Sequence, residues 1–80
     1  MGIKVFGTPL SESAVLKNVD DVAGPRDVKK VLDKAEKLPL ASVMAITSKL
    51  ETAVNTRFPA KNKDRTINNI REFRITAMKR

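Results

Sequence analysis

DRTINNIREFRITAMKR, residues 64–80, admits two readings, and the fold turns on which one holds. At a period of three to four residues, Ile67, Ile70, Phe73 and Ala77 share one face of a helix. At a period of two, Phe73, Ile75 and Ala77 share one face of a strand, with Arg74 and Thr76 opposite. The first reading makes the protein mainly α, a small single-domain bundle of three to four helices. The second ends a helix near Phe73 and sends the last residues out as a strand. That strand would pair with the β-branched and aromatic run at residues 3–6, IKVF, giving an α+β fold with a two-stranded ribbon at the joined termini. Two strands alone are marginal in water, so such a ribbon needs helices beneath it or a second protomer. We favour helix throughout and keep the ribbon as the alternative.

Working back from this stretch, the helical pattern is clearest in the middle of the chain. Leu40, Val43, Met44, Thr47, Leu50 and Val54 recur at helical spacing, with Ala41, Ala45 and Ala53 between them, which predicts a helix over 39–56. Gly24-Pro25 opens another, over 25–37, in which Val28, Val31, Leu32 and Ala35 form one stripe. Asp27 near its start and Lys34 and Lys37 near its end complement the helix dipole. Upstream, Thr8 can cap a helix beginning at Pro9, with Leu10, Ala14, Val15, Val19 and Val22 on one side. Asn18 and Asp20-Asp21 favour a turn near its end. Residues 57–63 read as a loop, broken by Pro59 and anchored on the core by Phe58, with Asp64 capping the last element.

Eighty residues bound the chain to one domain, with 9–56 as helical scaffold and 57–80 as a basic C-terminal element. A domain this small buries only about 60% of its unfolded surface and is marginal. With no cysteine and no histidine, neither a disulfide nor a zinc site can staple it, and no cofactor is expected. Residues 1–10 lack the long apolar run of a signal peptide, and the longest uncharged stretch, 38–48, is too short to span a bilayer. A soluble, cytoplasmic protein is expected.

The missing residue types also narrow the chemistry. Histidine, cysteine, tyrosine and tryptophan are all absent, which removes the commonest general base and the thiol nucleophile. Ser48-Lys49 would form a dyad only if neighbouring helix residues faced each other, and they do not. Asp20-Asp21 lacks the further ligands and turn glycine of a calcium loop, so it reads as a turn or cap. Gly2, Gly7 and Gly24 are scattered and form no phosphate-cradling loop. No catalytic residue and no metal ligand is assigned, and a non-enzymatic protein is expected.

What remains is charge. Residues 57–80 carry eight cations, Arg57, Lys61, Lys63, Arg65, Arg71, Arg74, Lys79 and Arg80, against Asp64 and Glu72, a net of +6. Residues 1–56 carry eight cations and seven carboxylates, a net of +1. The plain reading of such a tail is a solvated face. The functional reading is a polyanion footprint, with these eight side chains on nucleic-acid phosphates. Only Phe58 and Phe73 offer stacking surfaces, so backbone-dominated binding to duplex DNA is favoured over RNA or single strands. The pair of helices over 25–56 makes a poor helix-turn-helix reader, because its turn carries Leu38-Pro39 instead of glycine and its second helix has only Lys49 and Glu51 as charged residues. The alternative is a small protein-interaction module, as adaptor, inhibitor or homodimer protomer, docking its basic end on an acidic protein surface. Its motive is the long apolar face of residues 40–54.

Overall fold

The computed structural model describes residues 11–79. They form four helices, α1 (Glu12–Asp20), α2 (Pro25–Ala35), α3 (Leu40–Arg57) and α4 (Ala60–Met78), with no strand among the described residues. Phe73 to Met78 is therefore the end of α4, and the α+β alternative is corrected on that side. The proposed partner run at residues 3–6 lies outside the described residues, as do Thr8 and Pro9.

Each helix start has a local cause. Ser11 is extended, and its hydroxyl accepts the N–H of Ala14 at 3.2 Å, capping α1. Gly24 precedes α2 in extended geometry and Pro25 fills the first helical position, where a missing N–H costs nothing. Asp27 reaches back from the third position to accept the N–H of Ala23 at 2.9 Å, which ties the incoming chain to the helix. Replacing Asp27 by Ala is expected to cost about 1 kcal/mol. For a domain this small that lowers Tm by about 4–8 °C in a thermal scan. α2 stops two residues short of the expected 37, as the chain tightens through Lys37 N–H to Lys34 C=O and Leu38 N–H to Ala35 C=O.

The last connection is shorter than expected. Residues 60–63 are already helical, so the predicted loop over 57–63 shrinks to Phe58 and Pro59, and Asp64 lies inside α4 instead of capping it. The polar run KNKD resembles a solvated loop in sequence, yet a helix needs only one apolar side. Pro59 takes the N-cap position and pushes Phe58 into extended geometry (φ −87°, ψ 145°), which ends α3 and starts α4 within two residues. Phe58 is buried, as its expected anchoring role requires, and its N–H still reaches Val54 C=O at 2.9 Å.

α3 is the centre of the bundle. It packs against α4 most extensively and also against α1 and α2, while α2 touches α4, and α1 and α4 do not meet. The result is a slab of 48 × 28 × 16 Å. Val15 and Val19 of α1, Val22, Val28, Val31 and Ala35 around α2, and Ile70 of α4 close on Ile46, Leu50 and Val54 of α3. The buried side of α3 is rotated from the expected one. Ile46 is fully buried, whereas Leu40 and Met44 face outward. A central helix with neighbours on two flanks buries a wider stripe than one face, and the stripe follows those neighbours. Thr47 sits inside this stripe without cost, because its hydroxyl donates to Val43 C=O at 2.8 Å.

Candidate nucleic-acid interface

Of the eight cations expected to grip phosphate, the seven among the described residues do not form one surface. Arg57 ends α3, and its Nη1 donates to the carbonyls of Asp20 (2.6 Å), Val22 (3.2 Å) and Val19 (3.5 Å). It satisfies orphan carbonyls at the C-terminus of α1, where the helix dipole also favours a cation. The Asp20-Asp21 pair takes the turn-and-cap role: Asp21 is the C-cap of α1, and Asp20 meets Lys49 Nζ at 3.1 Å.

Arg71 and Arg74 face α3. Arg71 Nε lies 3.3 Å from Glu51 Oε1, and Arg74 Nη2 pairs with Glu51 Oε2. Arg74 Nε also donates to Thr47 Oγ1 at 3.0 Å. The side chains of Arg74 and Glu51 are 23% and 19% exposed, against 61% for Arg71. Arg74 is thus part of the α3–α4 seam, and Arg71 is its outer edge.

Lys61, Lys63, Arg65 and Lys79 form no ion pair among the described residues. Arg80 lies outside them. Lys61 and Arg65 are exposed, four residues apart, and project from the same side of α4. Lys63 is half-buried. Lys79 stands about 21 Å beyond Arg65 at 1.5 Å per residue, with Glu72 on the same outer side between them. Neither aromatic is placed to stack on a base, since Phe58 is buried and Phe73 packs against the core.

The fold adds a contributor that the sequence reading placed in the scaffold. Lys29 of α2 and Asn69 of α4 border one cleft of about 300 Å³, floored by Val28, Leu32 and Thr66. Lys29 therefore stands beside the middle of α4, one turn past Arg65, and exposed Arg26 lies in the first turn of α2. The usable signal was the outer face of α2, which holds Arg26, Lys29, Lys30 and Lys34 around a single Asp33; an almost neutral charge total over residues 1–56 concealed it.

A second surface is apolar. Leu40, Met44, Ile75 and Met78 are 36–51% exposed. Among the described residues no cluster of His, Cys, Asp or Glu could hold a metal, and no helix is long and apolar enough to cross a membrane. No protein-family profile, curated protein or solved structure matches the chain.

Proposed function

We propose that the protein is a non-enzymatic nucleic-acid-binding domain that contacts the phosphate backbone of a duplex along the first half of α4 and the adjacent face of α2. The observation that carries this reading is the set of exposed cations with no carboxylate partner there: Lys61 and Arg65 on α4, and Lys29 and Arg26 on α2. Arg57, Arg71 and Arg74 leave the expected footprint, because intramolecular acceptors already use them. About four phosphate contacts imply a log–log salt slope near −4, gentler than eight cations would produce. Replacing Lys61 and Arg65 together by Gln is expected to weaken binding to all duplex sequences alike and to flatten the slope by about 2. Fluorescence anisotropy with labelled duplexes across a salt series checks this. No binding at low salt removes the reading.

The exposed group Leu40, Met44, Ile75 and Met78 favours a second reading, a protein-interaction module. Such a patch lies where a monomer would otherwise place polar side chains.

A further inference from the structure

Leu40 and Met44 belong to the first turns of α3, and Ile75 and Met78 to the last turns of α4. The Arg71–Glu51 and Arg74–Thr47 pairs show that these helices run antiparallel, so the four residues gather at one end of the seam. A cleft of about 240 Å³ opens there, lined by Leu38, Leu40, Ala77 and Met78. Residues 38–50 and 73–79, which build this end, contain no Asp or Glu. Of their cations, Lys49 is held by Asp20 and Arg74 by Glu51. Lys79, next to Met78 of the cleft, is exposed, and the exposed pair Glu36-Lys37 precedes Leu38 on the other side.

We propose that this end of the α3–α4 seam docks an acidic amphipathic helix of a partner protein, an inference that rests on the interaction-module reading. The partner's apolar side fills the cleft through residues at helical spacing, and its carboxylates meet Lys79. Helix-in-groove recognition needs an apolar concavity with anchors on one helical face of the guest. Two methionines suit it, because an unbranched thioether adapts to the shape of the guest. The charge of the rim selects the occupant. A second copy would bring no carboxylate from residues 38–50 or 73–79 to meet Lys79, which leaves that cation unpaired. A lipid surface is flat and leaves a cleft built from two helices unfilled.

The test uses the full chain labelled with 13C at its methionine methyls, so that Met44 and Met78 report directly. The probe is a synthetic helix of about 18 residues, long enough for five turns, with leucines on one face and glutamates on the other. The control carries lysines in place of the glutamates. The glutamate peptide is expected to shift both resonances saturably, at least about tenfold more tightly than the control, and less tightly as salt rises. Ile75→Glu should abolish the response with helical circular dichroism unchanged. Lys79→Glu, at an exposed position, should reduce or reverse the preference for the acidic peptide. Equal binding of both peptides overturns the proposal. So does a response to phosphatidylserine-rich vesicles in place of the peptide. Concentration-dependent shifts with a doubled mass in sedimentation overturn the acidic occupant while leaving an interaction module standing. Silence in every arm removes both.

Discussion

Phe58→Ala is expected to cost roughly 3–5 kcal/mol. A chain of this length holds only about 4–12 kcal/mol in total, so the variant should sit near its unfolding midpoint at ambient temperature. The ring is buried in the core at the only bend between the two longest helices. Removing it deletes apolar burial for α3 and α4 together, and the two-residue joint leaves little slack for collapse into the cavity. Urea denaturation followed by circular dichroism should show a lower midpoint at similar slope. Phe58→Leu, which refills most of the volume, should recover more than about half of the loss. A cost for Ala below about 1 kcal/mol would place the ring outside the core.

Arg74→Ala is the second large effect, about 1.5–3 kcal/mol from hydrogen bonds to a charged, mostly buried partner. The substitution leaves Glu51 with only the exposed Arg71 and removes the donor to Thr47 Oγ1. Arg71→Ala should cost far less, about 0.2–1 kcal/mol, because water screens that pair. A double-mutant cycle of Arg74→Ala with Glu51→Ala should return a coupling of at least about 1 kcal/mol. The same variants discriminate function from stability. If Arg74 belongs to the seam, its loss lowers the folded fraction and leaves the salt slope of DNA binding unchanged. A flattened slope in fully folded Arg74→Ala would return this residue to the phosphate footprint.

The helical class and the middle of the chain were legible because prolines and apolar spacing agree there. Pro25 starts α2 where expected, and α3 differs by one residue at each end. The stretch FRITAM was ambiguous because its alternation satisfies both periods. Packing resolves it: Phe73 and Ala77 face the core while Ile75 between them is 48% exposed, which is the helical pattern and not the alternating one. The start of α4 was hidden by polar residues that a helix tolerates on its outer side. The pairing of three arginines was hidden for a different reason. Glu51, the acceptor for Arg71 and Arg74, lies on another helix, and the carbonyls that hold Arg57 belong to α1. Charge totals along a chain count such cations as free because they carry no record of pairing across the fold.

The Phe58–Pro59 joint has a consequence for how many chains share one bundle. Two long helices joined by so short a turn are prone to straighten into a single rod, which would lay α4 on the α3 of another molecule in a domain swap. Pro59 opposes this at the backbone level. It keeps Phe58 out of helical geometry and has no N–H to continue the ladder of α3. One imino acid thereby biases α4 to fold back on its own chain, guarding the self-contained bundle against exchange.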